Sequence, residues 1–177
     1  TAQEALDTSL MAWRVAEDPR VFLPCAVSCD GSFLTHSQAL VKVPPRSLVD
    51  RFLPPYDRGK LVLHPDNPIT VAPQVNEDWL MEMRKQTDGA MRRAKEVIPE
   101  VHEEFRQIFG RGSESPWFEQ YGDDDADICF VGMGTIALPL RVAVRRLKEK
   151  GVKIGFLRLK WFRPFATEEI RDVLSQY

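Results

Sequence analysis

Gly132, Gly134 and Ala137 fall in the run GMGTIA at the spacing G-x-G-x-x-A. In a dinucleotide-binding unit that spacing lets the backbone approach a pyrophosphate at a helix N-terminus, and an acid near the end of the next strand holds the ribose. The next apolar run, VKIGFLRLKWF, offers Arg158 and Lys160 but no acid. The residues therefore leave two readings open: a close-packed strand-to-helix turn without a ligand, which they favour, or an NADP-type nucleotide site built on Gly132, Gly134 and Ala137.

A second group of polar residues follows a turn at Asp30 and Gly31, where Ser32, Thr35, His36 and Ser37 crowd together in DGSFLTHS. Ligands in open α/β sheets lie beyond strand ends, so Asp30, Gly31, Thr35 and His36 are the segment expected nearest a cleft. The other histidines stand apart, and His102 is expected on a helix surface among Glu100, Glu103 and Glu104. Cys25 and Cys29 are four apart in a run read as strand, and Cys129 is distant. Without further Cys or His nearby they make no metal site, and three cysteines do not form a disulfide framework.

The elements that must position these residues follow from periodicity. Leu6, Leu10, Trp13 and Ala16 form the stripe of a core-facing helix, ended by Asp18 and Pro19. The continuous apolar run RVFLPCAVSCDG reads as a buried strand. Between Ser32 and Pro73 seven prolines leave room for one short helix, PRSLVDRFL, with Pro45 in its first turn.

The strongest helical signal runs from Asn76, a plausible N-cap, to a stop at Gly110. Trp79, Met83, Ala90, Ala94, Val97, Val101, Phe105 and Ile108 form its apolar face, and Pro99 is expected to kink or divide it. A polar loop over 112–125 precedes a strand beginning at Ala126. Then come the glycine turn, an amphipathic helix, a second strand and a last helix starting near Thr167.

Charged residues make up 28% of the 177-residue chain and hydrophobic ones 44%, with a net charge of −2. That balance gives no footprint for nucleic acid. The one basic cluster, Arg145, Arg146, Lys148 and Lys150, is a solvated helix face. No apolar stretch approaches the roughly 18 residues of a membrane helix, and the chain is expected to be cytoplasmic. The residues alone describe an α/β protein with a mostly parallel sheet.

Four blocks carry a more specific likeness: CDGSFLTHSQALVKVPPRSLVDRFLPPYD, LHPDNPITVAPQVNEDWLMEMRKQTDGAMRRAKEVI, DADICFVGMGTIA and FLRLKWFRPFATEEIRDVL. In this order and across essentially the whole chain, the sequence resembles the α subunit of the pyruvate:ferredoxin oxidoreductase family, the CoA-acylating 2-oxoacid oxidoreductases. The resemblance implies that residues 1–43 are the end of a thiamine-diphosphate-binding domain of pyrimidine type and 44–75 a proline-rich crossing. It further implies that 76–177 are a long helix plus a transketolase C-terminal-like domain, incomplete at its C-terminus.

By the same resemblance GMGTIA holds no dinucleotide, and the family's catalytic glutamate and thiamine-contacting residues lie ahead of Thr1. Thiamine diphosphate, magnesium and iron-sulfur clusters would belong to the whole complex and not to this segment alone, which would be inactive by itself and hold no metal. Its expected role is scaffold and subunit interface, with other subunits, ferredoxin and CoA as partners at the level of the complex, or else a non-catalytic interaction module of the same fold.

Overall fold

In a computed structural model the described residues are 1–59 and 61–177; Lys60, inside the proline-rich crossing, lies outside them. Eight elements follow in chain order: α1 (Ala2–Ala16), α2 (Arg46–Phe52), α3 (Glu77–Phe109), β1 (Phe118–Gly122), β2 (Cys129–Met133), α4 (Ala137–Glu149), β3 (Gly155–Leu159) and α5 (Thr167–Leu174). A single 3-10 turn, Gly134–Ile136, joins β2 to α4.

The three strands form one sheet in the order β1-β3-β2. β2 runs parallel to β3 in register Cys129 to Gly155, as a βαβ unit requires, whereas β1 is antiparallel to β3 in register Phe118 to Leu159. The sheet is thus mixed, and the expectation of a mostly parallel one is not met. β1 forms inside the segment expected to be loop. FEQYG has no apolar run of its own to announce a strand, and pairing with the buried β3 supplies what its composition lacks.

Side-chain alternation along β3 explains the layering, because successive residues face opposite sides of a sheet. Leu157 joins the larger core with Met11 and Val15 of α1, Phe52 of α2, Val97, Ile98, Val101 and Phe105 of α3, and Ile170 of α5. Phe156 joins Ala137 and Val144 of α4 and Ile154 in the smaller core on the other face. A Cβ at Gly155 would overlap the Tyr177 ring, which covers that end of the strand.

Several expectations change in three dimensions. The buried stripe of α1 is Asp7, Met11 and Val15, turned away from Trp13, which is 61% exposed. Asp7 is admitted to the interface because Arg111 grips it through two hydrogen bonds of 2.9 Å while lying over Phe109. The run Val21 to Asp30 forms no strand: Pro24 lacks a ladder donor, nothing pairs with the segment among the described residues, and Cys25 and Cys29 are exposed.

The helix α3 runs unbroken for 33 residues with Pro99 inside it. Proline costs a helix interior about 3 kcal/mol. Burying Val97, Ile98, Val101 and Phe105 around it returns roughly 1.5–3 kcal/mol each, so packing decides. Only the C-terminal two-thirds of α3 is packed, leaving Trp79 66% and Met81 78% exposed on the overhanging first turns.

Other expectations are met wholly or in part. Gly110 ends α3 in the left-handed conformation at φ 65°; Asn76 occupies its N-cap position, although its side chain donates to Asp78 and caps nothing, and Pro45 stands just before α2 and not in its first turn. Arg145, Arg146, Lys148 and Lys150 lie exposed along α4 and its end.

Candidate functional site

The segment 30–37 is a loop that bonds to itself. Asp30 Oδ1 accepts the backbone N–H of Ser32 at 3.0 Å and of Phe33 at 2.5 Å, an Asx turn that fixes the entry. The Asp30 carbonyl accepts the N–H of Thr35, the Thr35 hydroxyl donates to the Gly31 carbonyl at 2.9 Å, and the Ser37 hydroxyl donates to the Phe33 carbonyl at 2.5 Å. The Phe33 N–H above all, with the Ser32 N–H and the Thr135 hydroxyl, holds the Asp30 carboxyl below the usual carboxylate range.

Because the single Thr35 hydroxyl proton is committed to Gly31, the 3.2 Å contact with His36 Nδ1 requires that nitrogen to donate. In the neutral ring Nε2 then carries the free lone pair, on a side chain exposed to solvent. The four residues expected near a cleft are therefore neighbours on one ordered loop, and the loop aims an acceptor outward.

The glycine turn lies against this loop. Thr135 Oγ1 donates to Asp30 Oδ2 at 3.1 Å, joining positions 105 apart in sequence. Each member of the fingerprint has a packing reason. A Cβ on Gly132 would stand 3.1 Å from Leu140 Cδ1 and 3.4 Å from the Phe156 ring, Gly134 sits at φ 67° where side chains are strained, and Ala137 is fully buried. The polar group at the turn is a carboxylate from the same chain, which would repel a diphosphate.

Arg158 and Lys160 are also spoken for. Arg158 donates to Glu4 at 2.6 Å and to Glu119 at 2.8 Å, and Lys160 donates to the Ser113 hydroxyl at 2.8 Å with Glu4 3.5 Å away. The Tyr121 hydroxyl donates to Glu119 at 2.6 Å under the Arg141 guanidinium, 4.4 Å above the ring.

Burial pushes Glu4 and Glu119 toward protonation, but their hydrogen bonds and the charges of Arg158 and Lys160 outweigh it and leave both below the ordinary value. Burial and the Glu119 charge together push Tyr121 up to about 12. The sequence alone does not bring these four charges together. Its signal was two cations, Arg158 and Lys160, on one face of an otherwise apolar strand, an arrangement that needs acids opposite.

His102 corrects another expectation: it is 3% exposed, not on the surface. Its Nε2 meets the Ser113 carbonyl at 2.8 Å while Nδ1 is buried without a partner among the described residues. Burial, with Lys160 and Arg106 nearby, holds its pKa below 6.5 against the pull of the Ser113 carbonyl. His64 belongs to an isolated bridge with Asn67 on the proline-rich crossing.

Among the described residues no three His, Cys, Asp or Glu side chains are grouped to hold a metal ion, and no helix is long and apolar enough to cross a membrane. The cluster, the loop and the turn offer no phosphate cradle, so these residues do not fit thiamine diphosphate by themselves.

Comparison with known proteins matches two consecutive stretches of the chain. Residues 1–103 match the family described as pyruvate flavodoxin/ferredoxin oxidoreductase, thiamine diP-bdg, and residues 126–177 match pyruvate:ferredoxin oxidoreductase core domain II. The chain is 40% identical to pyruvate synthase subunit PorA of Methanocaldococcus jannaschii over 98% of its own length and 44% of that protein's. It is 41% identical to the corresponding subunit of Pyrococcus furiosus over 98% of the chain and 43% of that protein.

Ketoisovalerate oxidoreductase subunit VorA of Pyrococcus abyssi is 37% identical over 97% of the chain and 42% of its own length. A solved alpha chain of a probable 2-oxoacid ferredoxin oxidoreductase from Thermoplasma acidophilum is 36% identical, covering 36% of this chain and 54% of that one, at a TM-score of 0.25. The chain thus spans less than half the length of these curated relatives.

Proposed function

Since the chain belongs to the pyruvate flavodoxin/ferredoxin oxidoreductase family, we propose that it serves as part of the α subunit of a thiamine-dependent 2-oxoacid:ferredoxin oxidoreductase of the pyruvate branch. One observation carries the reading: two family segments in the expected order, with 40% identity to a pyruvate synthase subunit sustained over 98% of the chain. The working unit is a cytoplasmic assembly with other subunits. It decarboxylates the 2-oxoacid, passes the electrons through iron-sulfur clusters to ferredoxin and releases an acyl-CoA.

Thiamine diphosphate supplies the carbanion stabilisation in such an enzyme when bound. The residues here contribute position, not covalent chemistry. The larger core joins α1 to the sheet, the loop 30–37 borders the cleft, and the overhanging start of α3 with its exposed Trp79 and Met81 meets another subunit. We assign residues 1–43 to the end of the thiamine-binding domain, 44–75 to the crossing, and 76–177 to the long helix with a transketolase C-terminal-like domain.

The test is anaerobic purification of the complex formed by the full-length chain, followed by CoA-dependent oxidation of pyruvate and of 2-oxoisovalerate with ferredoxin as acceptor. Activity that requires added thiamine diphosphate and favours pyruvate is the expected result. A complex that oxidises neither acid would overturn the assignment, and a preference for 2-oxoisovalerate would move it to the branched-chain branch.

A further inference from the structure

The loop 30–37 has no share in either core: Phe33 is 77% exposed, and no residue of the loop packs into the buried clusters. A segment without apolar burial sits at the low-stability end of a protein, and only its polar contacts can place it. Its own hydrogen bonds make it a unit, since Asp30, Gly31, Phe33, Thr35 and Ser37 are tied to one another. A unit of that kind can be aimed by a single tether.

Among the described residues one side-chain hydrogen bond runs from the loop to the sheet and its helices, Thr135 Oγ1 to Asp30 Oδ2 at 3.1 Å. The two oxygens of Asp30 divide the work. Oδ1 organises the loop from inside, and Oδ2 fastens it to the turn that opens α4. The left-handed turn at Gly134 sets the chain direction from which Thr135 reaches the carboxylate.

We propose that Asp30 and Thr135 form a positioning latch that holds loop 30–37, and through it His36, against the glycine turn. The latch connects the stretch matched over residues 1–103 with the one matched over 126–177. Its consequence for catalysis rests on the reading above, in which this loop borders the cleft. Neither residue touches the reacting atoms. Each acts through where it leaves His36, whose Nδ1 meets the Thr35 hydroxyl while Nε2 has no hydrogen-bond partner among the described residues.

The experiment uses the assembled oxidoreductase carrying the full-length chain, as wild type, Thr135→Val, Thr135→Ser, Asp30→Ala and the Asp30→Ala/Thr135→Val double variant. Amide exchange of residues 31–37 is read by mass spectrometry, and kcat and KM for the 2-oxoacid are read in parallel. Thr135→Val is expected to speed exchange in the loop by roughly tenfold, the scale of one hydrogen bond to a charged group, while Thr135→Ser keeps the hydroxyl and the protection. The double variant should be no worse than Asp30→Ala alone.

Unchanged loop exchange in Thr135→Val, or effects of the two residues that simply add, would overturn the latch. A loosened loop with a lower kcat/KM, rescued by serine, supports its positioning role. A loosened loop with unaltered kinetics would overturn that role. Absence of any 2-oxoacid oxidation in the wild-type complex would strike the proposed function instead and leave the exchange result standing.

Discussion

His102 shows how much one side chain can depend on its surroundings. It sits inside α3 with Nε2 committed to the Ser113 carbonyl and Nδ1 buried without a partner among the described residues. Protonating it would put charge in a buried site and a second N–H where no acceptor lies among the described residues, with Lys160 and Arg106 adding repulsion against the pull of the Ser113 carbonyl and of Glu103. The folded pKa therefore lies below the ordinary 6.5. The unfolded chain binds the proton more readily, so the stability tied to the neutral ring is complete above that value and is lost as pH falls through the folded pKa. Thermal unfolding of the wild type is expected to drop between pH 7 and 5. His102→Gln, which keeps an N–H for Ser113, should show a flatter profile over the same interval, and equal slopes in the two proteins would remove His102 as the cause. None of this was legible in EVHEEF, where three acids around a histidine look like a solvated helix face. The Asp30 loop was legible as a polar knot after a turn, but its bond to Thr135 was not, because 105 positions separate the partners.

At the level of elements, α3 sets local propensity directly against packing. Pro99 cannot donate to the Lys95 carbonyl, yet the helix runs through it because the apolar residues on both sides are buried in the larger core. Pro99→Ala restores that donor and should raise the unfolding free energy by about 1–3 kcal/mol, less the entropy that proline removes from the unfolded chain. Urea unfolding with an unchanged m value would check it. A loss of stability would mean that the core is shaped around a bend at Pro99. Helices were the readable part of this sequence, because a period near 3.6 is written into fifteen or more consecutive residues of α1 and α3. Strands were less so. VFLPCAV has the composition of a buried strand and is none for want of a neighbour, while FEQYG has the composition of a loop and becomes β1 because β3 is there to pair with it. Strand identity is a property of the pair, and a single sequence states only one member.

Across the whole molecule, the cluster of Glu4, Glu119, Arg158 and Lys160 brings α1 to β1 and β3, joining Glu4 to Arg158 across 154 positions. The Arg158 side chain is 12% exposed and its partners Glu4 and Glu119 are 26% and 22% exposed, so its removal would leave two partly buried carboxylates facing Lys160 alone among the nearby cations. Its worth lies less in the attraction itself, much of which offsets desolvation, than in what its loss would strand. Arg158→Met should destabilise the protein by about 1–3 kcal/mol, the cost of leaving partly buried polar groups short of a hydrogen-bond partner. Glu4→Gln alone should cost less, since Arg158 keeps Glu119. The double variant should be more stable than the sum of the two losses predicts, with a coupling of about 1–3 kcal/mol. The same cluster decides against a 2'-phosphate at the end of β3: an anion there would have to displace Glu4 and Glu119 from Arg158 and Lys160 and leave two carboxylates without these cations. Strict additivity in the cycle would show that α1 and the sheet are held together by the apolar core alone. Coupling of the expected size would make these four charges the device that fixes how the first matched stretch of the chain docks on the second.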